Sequence, residues 1–178
     1  MNGKIVKLGE LEIDLDELAE SIVWFKQNVY GGTYIGINGK KEIMPDGSKR
    51  IVLQHGNFWY EDNYDGNSQA PGRELVKWQK EEGQWIWQMA YSGGMEPEFF
   101  NNEWLKKNTF GFLKIALSRV TPDMPFRGSP DFQNENFMYI CNVRGDIKKF
   151  SGDEAILSKR LGKYVFSQNF NGCLVFPK

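Results

Sequence analysis

Two stretches of the 178-residue chain, about eighty residues apart, follow the same pattern of aromatic, glycine and acidic positions. The matched segments are 57–66 with 136–145, 72–76 with 152–156, and 83–93 with 162–172. In the first pair Asn-Phe-Trp-Tyr is matched by Asn-Phe-Met-Tyr, and in the second Gly-x-Glu-x-Val is matched by Gly-x-Glu-x-Ile. A repeat of this length indicates one supersecondary unit used twice to bury one core. The duplication constrains the fold but names no function.

Each half of the chain is predicted to place helix ahead of antiparallel strands. Asp14 can cap a first helix with an apolar stripe, and Gly31-Gly32 can end it. The remaining predicted elements are listed in chain order: a hairpin of 51–53 with 58–60, a hairpin of 75–79 with 84–91, helix over 98–107 and 112–120 with a break at 108–111, and strands at 137–143, 155–159, 163–170 and 173–176.

This order of elements predicts an α+β fold. We expect two tandem helix-plus-antiparallel-hairpin repeats, about 1–95 and 96–178, related by a pseudo-twofold axis, and their strand sets either join in one sheet or face one another as two. Since no stretch rich in Pro, Gly or Ser separates them, the repeats are predicted to form one compact domain over 1–178.

Composition narrows the class of protein. Lys and Arg total 22 against 23 Asp and Glu, so direct nucleic-acid binding is not expected. Without a leader pattern at the first residues or a long apolar run, we expect a cytoplasmic protein away from membranes. One histidine and the two separated cysteines, Cys141 and Cys173, argue against a metal site, and no cofactor is indicated.

The aromatic content is high, with 6 Trp, 7 Tyr and 13 Phe. Such side chains either fill the core of a strand-rich fold or line ligand pockets and interfaces. Trp85, Trp87 and Tyr91 alternate along one predicted strand and are assigned to one sheet face, while Trp59 belongs to the neighbouring aromatic run.

The acidic positions separate into two kinds. Asp62 stands where the other copy has Cys141, so it is either solvated at a strand end or a functional group. Glu74 and Glu154 are matched in both copies, two residues after a glycine. Paired carboxylates suit acid–base work or metal binding, but a feature shared by both copies more often serves the folding unit.

Arg127 lies in an irregular, proline-framed segment, Pro-Phe-Arg-Gly at 125–128. A guanidinium there suits a bidentate contact to a ligand carboxylate or phosphate. The alternative is an internal pair with Asp62, Glu74 or Glu154.

The aromatic, glycine and acidic pattern of both copies, together with the 125–128 segment, resembles an uncharacterised bacterial domain of unknown function. The resemblance runs from about Phe25 to the C-terminus. That domain occurs alone and also fused to helix-turn-helix regulators of the xenobiotic-response-element type. The resemblance implies shared fold and a sensing or effector role, and it supplies no catalytic residues.

The favoured hypothesis is a domain that binds or senses a small molecule without catalysis. Its candidate ligand-binding residues are Trp59, Asp62, Glu74, Trp85, Trp87, Tyr91, Arg127 and Glu154. The alternatives are a protein-interaction module or homodimerising effector domain, and a carboxylate-based enzyme. No catalytic and no metal-binding residues are assigned.

Overall fold

The computed structural model describes residues 4–31 and 40–177. The chain begins with a small hairpin of β1 (Ile5–Leu8) and β2 (Leu11–Asp14), which leads directly into α1 (Leu15–Tyr30). As predicted, the Asp14 side chain caps α1, because it accepts hydrogen bonds from the backbone nitrogens of Asp16 at 2.9 Å and Glu17 at 3.4 Å. Gly31 forms the C-cap, and Gly32 lies outside the described residues.

The main structure is one antiparallel sheet of eight strands in the order β3-β4-β5-β6-β7-β10-β9-β8. Its strands are β3 (Lys40–Ile43), β4 (Lys49–His55), β5 (Phe58–Tyr64), β6 (Gly72–Trp78), β7 (Trp85–Met95), β8 (Phe137–Asp146), β9 (Lys149–Ser158) and β10 (Lys163–Leu174). The two predicted hairpins of the first half are confirmed as β4–β5 and β6–β7.

The predicted fold class is wrong. The structure is mostly β, with 48% strand and 21% helix, and its described residues contain only two α-helices instead of two helix-plus-hairpin repeats. The physical reason is the long pairing of β7 with β10, from Met95 with Phe166 to Trp87 with Leu174. This contact joins all the strands from β3 to β10 into one continuous sheet.

Two boundaries also differ from the sequence prediction. Residues 108–111 do not break the second helix, because α2 (Glu103–Leu117) is continuous through them after a short 3-10 turn at Pro97–Phe99. Asn102 caps α2 by accepting from the Leu105 nitrogen at 3.0 Å. The predicted separate strand at 173–176 is instead the end of β10, which closes at Leu174.

Both helices pack against the same face of the sheet. The Phe25 ring of α1 stacks on Tyr60 of β5 at 4.9 Å, and Phe112 of α2 lies 5.4 Å from Phe137 of β8. These contacts are part of one hydrophobic core between the helices and the sheet. Among residues 4–31 and 40–177, no helix is both long and apolar enough to cross a lipid bilayer.

Candidate functional site

Five charged side chains lie within this core, and each is at most 2% exposed. They come from α1, β5, β6, the segment after α2, and β9: Lys26, Asp62, Glu74, Arg127 and Glu154. Burying an ionised group is costly unless it is paired and hydrogen-bonded. The partners of each charge therefore indicate which of them have a purely structural role.

Lys26 and Glu74 form a direct ion pair. The Lys26 Nζ donates to both carboxylate oxygens of Glu74, at 2.8 and 2.6 Å. Burial lowers the pKa of Lys26, and the Glu74 carboxylate opposes that shift. The pair links α1 to β6 and fixes the helix on the sheet.

Arg127 is the second cation of the cluster, and three of its five N–H donors contact glutamates. Its Nε and Nη2 donate to Oε1 of Glu154 at 2.9 and 2.7 Å, and Nη1 reaches Glu74 at 3.4 Å. Gln168 and Tyr139 also donate to Glu154. Burial alone would lower the pKa of Arg127, but the Glu154 carboxylate raises it well above its ordinary value, so the guanidinium stays charged.

Asp62 is held differently, by neutral phenols. Tyr91 donates to Oδ1 at 2.7 Å, and Tyr30 donates to Oδ2 at 3.2 Å. Within the described parts of the chain, no lysine or arginine nitrogen lies within ion-pair distance of Asp62. Burial, followed by the negative charge of Glu74, raises the pKa of Asp62 to about 7.

A cavity of about 400 Å³ opens beside Asp62, between the helices and the sheet. Its buried lining includes Asp62, Tyr91, Arg127 and Gln168, and Lys41 and Lys114 are exposed where the lining reaches the surface. The remaining lining is mostly apolar or aromatic: Val29, Tyr30, Ile51, Tyr64, Ala70, Phe110, Leu113 and Leu117. Mostly apolar cavities of this size with a few convergent polar groups are typical of small-molecule sites.

Residues 62–175 match the family model of a domain of unknown function, DUF5680. The chain belongs to this family. No curated protein matches it, and no solved structure does. The DUF5680 match contains Asp62, Glu74, Arg127 and Glu154 but begins after α1, so Lys26 lies outside it.

Three of the predicted ligand-binding residues of this DUF5680 protein line the cavity: Asp62, Tyr91 and Arg127. Asp62 is not solvated at a strand end, since it is 1% exposed in the middle of β5. The alternative prediction for Arg127, an internal ion pair instead of a ligand contact, is confirmed, because Arg127 pairs with Glu154 and Glu74. These two glutamates contact Arg127 without lining the cavity themselves.

The three predicted tryptophans lie elsewhere in the DUF5680 fold. Trp87 is fully buried and stacks on Phe150 at 5.6 Å, so it belongs to the core. Trp85 does not share the inner face of Trp87, because a register shift after Val76 turns it outward, where it is 39% exposed. Trp59 lines a separate surface hollow with residues of β4.

The polar residues of this site that sequence reasoning missed include Lys26, Tyr30 and Gln168. For Lys26 a signal was present. It stands beside Phe25 and four residues after Ile22, on the apolar stripe of α1, where a lysine needs a buried partner. Tyr30 and Gln168 carry no comparable signal, because their roles depend on contacts with β5 and β9.

The repeated glycine at 72 positions the tyrosine that holds Asp62. Gly72 lies directly across from Tyr91 in the sheet, and a Cβ at Gly72 would come within 2.5 Å of Tyr91 Cζ. Gly152 similarly makes room for the ring of Phe170 on the neighbouring strand. The matched glycines therefore serve the packing of aromatic rings across the sheet.

Replacing Gly72 by alanine is expected to lower the free energy of unfolding by about 1–3 kcal/mol, because the added methyl group overpacks the Tyr91 ring. Urea unfolding followed by circular dichroism measures the change. Gly111→Ala is the matched control, since nothing lies within 4 Å of its Cβ on α2 and alanine favours helix. Equal stability of the two variants would contradict the positioning role of Gly72.

Proposed function

We propose that this DUF5680 protein binds a small organic molecule in the cavity between the helices and the sheet. One observation carries the proposal: the buried carboxylate of Asp62 faces a mostly apolar cavity of about 400 Å³, and its hydrogen-bond donors among the described side chains are the phenols of Tyr30 and Tyr91. The resemblance to a domain fused to transcription regulators favours a sensing role for such binding.

The free-energy cost of burying the Asp62 carboxylate supports this proposal. A carboxylate kept in the core without a cationic partner destabilises the fold, and asparagine or an apolar residue would avoid that cost. Costly polar groups are typical of functional sites, where stability is given up for binding or chemistry. Cys141, which pairs with Glu154 in the sheet as Asp62 pairs with Glu74, shows that an uncharged residue fits the analogous place.

The distribution of carboxylates favours binding over acid–base catalysis. An enzyme that uses Asp62, Glu74 and Glu154 as its acid–base groups needs at least two of these carboxylates within reach of the same cavity. Glu74 is fully buried against Lys26, and Glu154 is engaged by Arg127 and Gln168. Asp62 is the one carboxylate among the described lining residues.

A thermal-shift screen against a broad set of metabolites tests the proposal. A ligand present at 100 times its dissociation constant is expected to stabilise the protein by about 2.7 kcal/mol. The Ala70→Phe variant is expected to abolish that stabilisation, because Ala70 lines the cavity and the larger ring fills it.

Ala90→Phe is the matched control, since Ala90 is an exposed residue of β7 outside the cavity lining. It is expected to respond to ligands as the wild type does. A screen without hits, or hits that persist in Ala70→Phe, would contradict binding in this cavity.

A further inference from the structure

We propose that the ligand is an organic cation, a protonated amine joined to an apolar body, whose ammonium group binds Asp62. This inference rests on the proposed function, because it names the class of molecule that the same cavity takes. It depends on three observations: the charge count of the buried cluster, the acceptors left on Asp62, and the aromatic lining.

The buried cluster has one more carboxylate than it has cations. Lys26 is matched with Glu74, and Arg127 with Glu154, both through direct hydrogen bonds. Asp62 is the carboxylate left over within the described core. A ligand bearing one positive charge would complete the balance that the protein itself leaves open.

The surroundings of Asp62 favour a cation over an anion. A carboxylate offers about four acceptor positions, and the two tyrosines, Tyr30 of α1 and Tyr91 of β7, use two of them. Glu74 of β6 lies directly across the sheet from Asp62 and adds negative charge. Lys26 and Arg127 lie near the same region, but each is already paired with a buried glutamate.

Four aromatic rings line the same cavity as Asp62. Tyr30, Tyr64, Tyr91 and Phe110 all line the cavity. The face of an aromatic ring attracts a cation, and ammonium ligands are commonly held by several such rings. Arg127 already lies 5.0 Å from the ring centre of Tyr91, so a cation is accommodated by this part of the protein.

The two lysines in the lining lie at its outer end. Lys41 and Lys114 are exposed, so water and salt screen their charges. The buried end of the cavity therefore decides which charge the ligand carries there. An anion at that end would lie beside the negative charge of Asp62, and the described cation there, Arg127, is already paired with Glu154 and Glu74.

Three probes of similar size separate the contribution of the ligand's charge from that of its apolar body. They are 2-phenylethylammonium, 2-phenylethanol and 3-phenylpropionate. Binding is measured at pH 8 by the change in protein NMR shifts across a concentration series. The ammonium is expected to bind at least about tenfold more tightly than the alcohol, since a charge-assisted hydrogen bond is about twice as strong as a neutral one. The propionate is expected to bind most weakly.

The Asp62→Asn variant is expected to weaken ammonium binding by about tenfold or more while changing alcohol binding little. Asp123→Asn, at an exposed position outside the cavity lining, is the matched control and should bind all three probes as the wild type does. A second readout uses the wild type alone. Protons compete with the ammonium for Asp62, so affinity should fall about tenfold from pH 8 to pH 6 for a carboxyl with a pKa of about 7, but only for the ammonium.

Each other outcome overturns the inference in a recognisable way. Equal binding of alcohol and ammonium, both lost in Ala70→Phe, would overturn the cationic ligand and leave the binding cavity in place. Tighter binding of the propionate would do the same. If none of the three probes bound at millimolar concentration, the amine class would be wrong, and the metabolite screen with Ala70→Phe would decide the proposed function separately.

Discussion

The Arg127→Met variant is expected to lose about 3–5 kcal/mol of folding stability, the cost typical of breaking a buried ion pair by removing one partner. Arg127 is 2% exposed and is the cation that contacts Glu154. Without it, the donors left to Glu154 among the described residues are Tyr139 and Gln168, which carry no charge. Urea unfolding at neutral pH, followed by tryptophan fluorescence, measures the loss.

Arg119→Met is the matched control for this substitution. Arg119 is exposed and contacts the ring of Phe132 at 4.4 Å, so its loss is expected to cost less than about 1 kcal/mol. The double variant Arg127→Met/Glu154→Leu removes both charges and should recover part of the stability. Similar losses in Arg127→Met and Arg119→Met would show that the buried cluster does not hold the fold together.

The Asp62→Asn variant is expected to gain about 2–3 kcal/mol of stability relative to the wild type when the pH rises from 5 to 8. The pKa of Asp62 is about 7 in the folded protein and about 3.9 in an unfolded chain. Between about pH 3.9 and 7 the Asp62 carboxyl is protonated in the folded state but not in the unfolded chain. The free energy of unfolding of the wild type therefore falls as the pH rises toward and through 7. Asparagine does not titrate and lacks this loss.

Unfolding curves at pH 5, 6, 7 and 8 test this expectation, with Asp123→Asn as the exposed control. The stability difference between Asp62→Asn and the wild type should grow with pH and level off above about pH 8. A difference that stays constant across the series would mean that Asp62 keeps an ordinary pKa. Combined with the ammonium measurements, the result shows whether one carboxylate both lowers stability and holds the ligand.

Local patterns in the sequence predicted individual elements well. The cap at Asp14 and the hairpins β4–β5 and β6–β7 depend on neighbouring residues, which is why capping and turn signals locate them. The sequence left open whether the strands form one sheet or two, because the pairing of Tyr91 with Phe170, which decides it, joins residues far apart in the chain. No local period encodes such a contact.

The candidate site was predicted only in part, again because local sequence patterns do not encode contacts between distant residues. Asp62 was singled out because it differs from Cys141 at the matched position, and Arg127 because of its irregular segment. Trp85 was placed on the wrong face, since strict alternation does not anticipate a register shift. Tyr30 was missed because a tyrosine at a helix end is unremarkable until β5 places a carboxylate opposite it.

The α1 helix precedes the part of the chain by which the family is defined, residues 62–175. Yet it supplies Lys26 to the charge cluster, and Val29 and Tyr30 to the cavity wall. Two proteins with closely similar 62–175 regions could therefore differ in ligand preference through this helix alone. Relatives are better grouped by the residues at positions 26, 29 and 30 together with Asp62 than by the family match.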